Sequence, residues 1–476
     1  MSQQRLVIVS NRLPIAIDQD EAGHWSLSKG SGGLITALAP LMQDQQGIWV
    51  GWPGCGPEAP VDRLLEDFSS EHGYQMVTVP LQEQEIEEYY HGFANETLWP
   101  LFHDLLSLCH FNFNHYQTYQ EVNRKFATTV ARASQASDLL WIHDYQLISV
   151  GAWLRRQQCR NTLAFFLHIP FPQPDLLRRL PWKNQILKDL LAYDLIGFQT
   201  RRDQRNFIHC ITSLTDRAKV ISRHRNHSVL RYGERLIKVG HFPISIDFNS
   251  FADHAQSQEV ADAAWYLHEH YEGMQLMLGI DRLDYTKGIP ERFLAFERAL
   301  EKYPEMQQQV ALLQVVVPSR TRVPEYQELR QQLEQLAGRI NGRYAEAGWT
   351  PVNYFFRSLD KTQLLAHYRS AEIALITPLR DGMNLVAKEY CASSVDNQGV
   401  LLLSEFAGAA DQLGKHALLV NPYDVEGTAD AIFQAFTMAE DERRQRMIRL
   451  RNNVRRLDVH RWLRTFLKTL GLRTPD

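Results

Sequence analysis

Short apolar runs, each closing on polar or charged residues and each followed by a helical, charge-rich segment, recur through the chain. Leu6-Val7-Ile8-Val9, Ile48-Trp49-Val50, Leu139-Leu140-Trp141-Ile142, Leu163-Ala164-Phe165-Phe166 and Leu195-Ile196-Gly197-Phe198 form one series. Residues 276–279, 310–317, 352–356, 373–376, 400–403 and 418–420 form a second. Unbroken apolar runs of this length suit parallel strands buried on both faces. Their alternation with helices predicts an α/β chain of doubly wound sheets, which take ligands beyond the carboxyl ends of their strands. Because 476 residues exceed what one core holds, the two series predict two Rossmann-like domains facing each other across a cleft. The expected boundaries are 1–243 and 244–455, with 456–476 as a final helix. Its Trp462, Phe466 and Leu467 need an apolar surface, found by returning to the first domain.

Composition narrows the function. A net charge of -4 argues against a nucleic-acid or membrane-surface partner, and no apolar run approaches a membrane span. Met1-Ser2-Gln3-Gln4-Arg5 leads straight into a strand without a signal pattern, so a cytoplasmic protein is expected. The five cysteines, Cys55, Cys109, Cys159, Cys210 and Cys391, lack CxxC spacing, and the 18 histidines include no HExxH. No metal and no cofactor are expected.

The residues that close the runs carry the chemistry. After 373–376 comes Thr377-Pro378-Leu379-Arg380-Asp381-Gly382-Met383-Asn384-Leu385-Val386-Ala387-Lys388-Glu389-Tyr390, which reads as a tight turn and a helix start. Free N–H groups and the positive end of a helix dipole suit an anion there, with Gly382 admitting close approach. Glu389, one turn beyond Leu385, would reach a hydroxyl of the same ligand. The stretch also reads as an ordinary loop with Asp381 or Asn384 as N-cap and Glu389 on a solvated face. Arg282 and Lys287 follow 276–279, and Arg320 follows 310–317; strand-end cations of this kind neutralise phosphate without a divalent ion.

In the first half Arg12 follows the first run, and Gly32-Gly33 opens an apolar-periodic segment after Pro14 to Gly30, which reads as a long polar loop. Trp52, Tyr90 and Trp99 are either core or the walls of a carbohydrate site. His143-Asp144 and His168 close neighbouring runs; singly such a histidine is usually a core residue, but two together favour a cleft.

Ser10-Asn11-Arg12, Gly32-Gly33, Gly51-Trp52, Trp141-Ile142-His143-Asp144-Tyr145, Phe166 to Pro172, Arg282 to Gly288, Gly338-Arg339-Ile340-Asn341-Gly342 and Thr377 to Tyr390, in this order, resemble the trehalose-6-phosphate synthases of glycosyltransferase family 20. The resemblance runs from Leu6 to about Trp462. It implies a two-domain GT-B enzyme moving glucose with retention from a nucleotide sugar, usually UDP-glucose, to glucose 6-phosphate. Carried onto this chain, Arg12, Tyr90, Trp99 and Arg320 would hold the acceptor, with Trp52 and Asp144 lining that side. Arg282 and Lys287 would neutralise the donor diphosphate. Asp381 and the backbone of Gly382, Met383, Asn384 and Leu385 would hold glucose and phosphate, and Glu389 the ribose. His168 would meet the donor sugar, and Gly32 and Gly33 would close over it. Arg282, Lys287, His168 and Asp381 are the implied catalytic set.

Related synthases with another acceptor, such as glycerol 3-phosphate or a cyclitol phosphate, keep the same donor motifs. A sugar-phosphate sensor on the same scaffold would be expected to lose Arg282, Lys287 or Glu389, all present here. No phosphatase domain is expected after the second domain. The halves are expected to close about residues 241–247, and homo-oligomerisation is left open.

Overall fold

The structure, a computed structural model, describes the chain except residues 1–4, 20–24, 31–34, 36–37, 40–41, 44–45, 56–59, 62, 66–67, 69–72, 216–217, 320–322 and 473–476. The chain divides into two compact units, residues 1–243 with 463–476, and residues 244–462.

The first unit carries β1 (Leu6–Arg12), β2 (Ile15–Gln19), β3 (Trp25–Lys29), β4 (Ile48–Trp52), β5 (Gln75–Thr78), β6 (Leu139–His143), β7 (Thr162–Phe166), β8 (Leu195–Phe198), β9 (Ala218–Arg223), β10 (His227–Tyr232) and β11 (Arg235–His241). Its main sheet runs β5-β4-β1-β6-β7-β8-β11-β10-β9, parallel up to β11 and antiparallel from β11 to β9. Numbered by first appearance in that sheet, its first six strands run 3-2-1-4-5-6, and the winding reverses between β1 and β6. The stretch read as a polar loop instead forms the antiparallel pair β2–β3, with Ile17 opposite Leu27 and Gln19 opposite Trp25. Trp25-Ser26-Leu27-Ser28 alternates apolar and polar residues, a period-2 signal too short to stand out beside the long buried runs.

The second unit carries β12 (Gln275–Arg282), β13 (Val310–Val317), β14 (Val352–Phe356), β15 (Ile373–Ile376), β16 (Val400–Ser404) and β17 (Leu418–Val420), all parallel, in the order β14-β13-β12-β15-β16-β17. The order is again 3-2-1-4-5-6, with its reversal between β12 and β15. β13 is buried along nearly its whole length, as its apolar sequence requires.

The helix Val459–Leu470 leaves the second unit and ends in the first. Phe466, fully buried, stacks on Trp141 at 4.2 Å and meets Phe166 and Phe242 edge-on. Burial of such a ring contributes about 2–3 kcal/mol, and the Lys238 ammonium adds a hydrogen bond to the Thr469 carbonyl near the negative end of the helix.

Candidate active site

Each sheet places its candidate residues at its own reversal point. In the second unit β12 ends at Arg282, which is exposed, and the turn after it carries Lys287. β15 runs into Thr377-Pro378 and then Asp381. The two loops are joined: the Lys287 ammonium donates to Asp381 Oδ2 at 2.6 Å, and the Leu379 N–H donates to the Thr286 carbonyl at 2.8 Å. Gly288 makes this approach feasible. Its φ is +62°, and a Cβ there would stand 2.3 Å from the Thr377 oxygen.

The helix starts later than the sequence suggests, at Val386, leaving residues 381–385 as a loop. Asn384 holds it, with φ at +73°, its amide donating to Asp381 Oδ2 at 3.2 Å and its oxygen accepting from the Ala387 N–H at 3.2 Å. Gly408 backs the loop, since a Cβ there would lie 1.9 Å from the Gly382 oxygen. The backbone N–H groups of Leu385 and Val386 find no acceptor among the described residues. That is what an anion-binding turn requires.

Glu389 is not on a solvated face. Its carboxylate is half-buried and accepts from the Tyr368 hydroxyl at 2.9 Å, and burial pushes its pKa up against the lowering effect of that bond. Beneath the loops lies an arginine the sequence did not flag. Arg292, fully buried, donates to Asp281 at 2.6 Å, Gln314 at 2.8 Å and Thr377 at 3.0 Å, tying the ends of β12 and β15 to the middle of β13. Nothing in an amphipathic helix pattern separates such an arginine from a solvated one; its partners lie on three other elements.

In the first unit the Arg12 guanidinium lies over the Trp52 ring at 4.7 Å, and Trp52 meets Tyr90 at 6.3 Å. Tyr90 sits on a π-helix, Ile86–Leu98, a wide-turn form frequent at functional sites. Trp99 is 5% exposed and packs on Tyr145.

Asp144, just beyond β6, has φ +74° and ψ 168°, a conformation essentially reserved for glycine. Its N–H donates to the Phe166 carbonyl and its carboxylate accepts the His168 backbone N–H at 3.2 Å, which together hold the strain. His143 and His168 meet ring to ring, Nδ1 to Nε2 at 3.1 Å, and burial pushes both imidazoles down, His168 to about 3. Gly32, Gly33 and Arg320 lie outside the described residues. Gly338 and Gly342 ride an open face of the helix Pro324–Tyr344, while Asn341 between them exchanges two hydrogen bonds with Val352, so this motif supports β14. Among the described residues no group of three His, Cys, Asp or Glu side chains is placed to hold a metal ion, and no helix is long and apolar enough to cross a membrane.

The chain matches the profile of glycosyltransferase family 20 over residues 4–471. The chain belongs to that family. It is 42% identical over 470 residues to a trehalose-6-phosphate synthase of Mycobacterium sp., covering 98% of this chain and 96% of that one. It is 40% identical over 477 residues to a bifunctional trehalose-6-phosphate synthase/phosphatase of Thermoproteus tenax, covering 98% of this chain and only 63% of that protein's length. Among solved structures, a UDP-forming alpha,alpha-trehalose-phosphate synthase from Burkholderia xenovorans in complex with glucose-6-phosphate superposes with a TM-score of 0.87. Its identity is 34%, over 98% of this chain and 100% of that one. Two parallel-sheet α/β units and this neighbour place the chain in the GT-B fold class.

Proposed function

We infer that this family 20 enzyme transfers glucose with retention from UDP-glucose to glucose 6-phosphate, giving trehalose 6-phosphate and UDP. The observation that carries the reading is the pair of reversal points. One bears Lys287, Asp381 and open N–H groups suited to a nucleotide sugar; the other bears Arg12 stacked on Trp52 beside Tyr90, suited to a sugar phosphate. The UDP-forming, glucose-6-phosphate-bound Burkholderia relative agrees with it.

The first unit then takes the acceptor and the second the donor. Arg12, Tyr90, Trp99 and Arg320 hold glucose 6-phosphate, with Trp52 and Asp144 lining the site. Arg282 and Lys287 face the diphosphate, Asp381 and residues 382–385 the glucose and its phosphate, Glu389 the ribose, and Gly32, Gly33 and His168 the donor sugar. Retention through a covalent intermediate needs a free carboxylate nucleophile. Asp381 instead spends Oδ2 on Lys287 and Asn384. The resemblance to the family implies that the leaving phosphate departs on the face the acceptor enters and takes the acceptor's proton, with Arg282 and Lys287 stabilising its charge. We assign the reaction to the cytoplasm.

Purified protein is incubated with UDP-, GDP- or ADP-glucose, with and without glucose 6-phosphate, and scored for nucleoside diphosphate and disaccharide phosphate. UDP release dependent on glucose 6-phosphate, surviving EDTA because the cations are side chains, is expected. Turnover with glycerol 3-phosphate or a cyclitol phosphate instead would replace the acceptor, and no turnover with any pair would leave a binding protein.

A further inference from the structure

His168 is held at two points. Its backbone N–H donates to Asp144 Oδ1 at 3.2 Å, and its ring Nε2 lies 3.1 Å from Nδ1 of His143, the last residue of β6. The pair is packed among Trp141 and Phe166, with ring centroids 4.7 Å from His143 and His168 respectively. In such surroundings both rings are neutral at neutral pH, so one proton lies between them and each ring carries one proton in total.

The other nitrogen of His143, Nε2, is buried and has no hydrogen-bond partner among the described residues. If the His143 proton sat there it would be a buried N–H without an acceptor, a rarer arrangement than an unfilled acceptor. The proton therefore belongs on Nδ1, where His168 Nε2 accepts it. His168 is left with its own proton on Nδ1, the nitrogen that His143 does not occupy.

We propose that His143 is a positioning residue: by donating Nδ1–H to His168 Nε2 it locks His168 in the Nδ1–H form, so that His168 meets the donor sugar as a hydrogen-bond donor through Nδ1. The sugar contact rests on the reading of His168 given above; the lock itself does not. A side chain on the neighbouring strand thereby decides which ring nitrogen the ligand finds.

The direct test is nitrogen NMR of the ligand-free, ¹⁵N-histidine-labelled protein, with His168 assigned by its loss in His168→Gln. A pyrrole-type Nδ1 and a pyridine-type Nε2 on His168 are expected. The opposite pattern, or an averaged one, overturns the lock. Kinetics provide the second arm. His143→Asn keeps an amide N–H near the Nδ1 position and should hold kcat/KM for UDP-glucose within about fivefold. His143→Phe keeps the ring volume without the N–H and should lower it 10- to 100-fold while the KM for glucose 6-phosphate stays unchanged. Equal effects of the two variants overturn the proposal, and the wild-type spectrum decides the lock if His143→Phe fails to fold. Unaltered kinetics in His168→Gln with the expected shifts in wild type would support the lock and overturn the sugar contact.

Discussion

The Lys287 ammonium sits 2.6 Å from Asp381 Oδ2 and joins the loops that leave β12 and β15 on either side of the sheet's reversal point. Both side chains are largely shielded, 12% and 15% exposed, so the pair is screened less than a surface bridge. On the proposed function it fixes the geometry that a diphosphate would enter, and Lys287 would then be shared between the carboxylate and the phosphate.

Lys287→Ala should lower kcat/KM for UDP-glucose by about 10²–10³-fold, as loss of a charge-stabilising donor does. It should also cost about 1–3 kcal/mol of stability by leaving Asp381 without its charged partner. Lys287→Arg should recover stability more than activity, because a planar fork does not replace a compact ammonium. Steady-state kinetics beside urea unfolding separate the two, and a variant within threefold of wild type would sink the assignment.

Arg12 stacks on Trp52, leaving guanidinium edges for a phosphate. Arg12→Ala should raise the KM for glucose 6-phosphate at least tenfold and leave the KM for UDP-glucose within about twofold, since a charge-assisted bidentate contact is worth 1.5–3 kcal/mol or so. Free glucose should be a poor acceptor for wild type. Equal turnover of glucose and glucose 6-phosphate would contradict a phosphate grip.

Asp144 holds a glycine-type backbone at φ +74° and ψ 168°. Asp144→Gly and Asp144→Ala both lose the carboxylate that accepts from His168, and differ only in the Cβ that makes the conformation costly. The glycine variant should be more stable than the alanine variant by about 1–2 kcal/mol in urea unfolding, with both impaired in turnover. Equal stabilities would mean that the strain is absent.

The neutral histidines make stability depend on pH. His168 titrates near 3 in the folded protein against 6.5 ordinarily, because burial disfavours the imidazolium, and His143 is shifted the same way. Between those values the unfolded chain binds the extra proton, so the contribution is full above pH 6.5 and is lost as pH falls towards 3. Well below 6.5 each such group costs about 1.4 kcal/mol per pH unit. In denaturant titrations from pH 7 to 5, His168→Gln should show a shallower loss than wild type; parallel curves would mean that His168 is protonated normally.

The sequence by itself determined the α/β class, the two sheet series and the places where strands become polar. Residues 310–317, 352–356, 373–376 and 418–420 are strands as the apolar runs indicate. Those properties are local: run length and periodicity depend on neighbours along the chain. The family motifs marked Arg12, Lys287, Asp381 and Glu389 as candidates, yet motif order says nothing of what each side chain touches. Tertiary structure alone decided that Lys287 bonds Asp381, that Glu389 is capped by Tyr368 rather than solvated, and that Arg292 ties β12, β13 and the loop after β15 together. It also set the left-handed turns at Asp144 and Asn384 and the pairing of His143 with His168. The physical reason is that such contacts join residues brought together only when strands align: Lys287 and Asp381 lie 94 positions apart, and their separation in space is set by the pairing of β12 with β15.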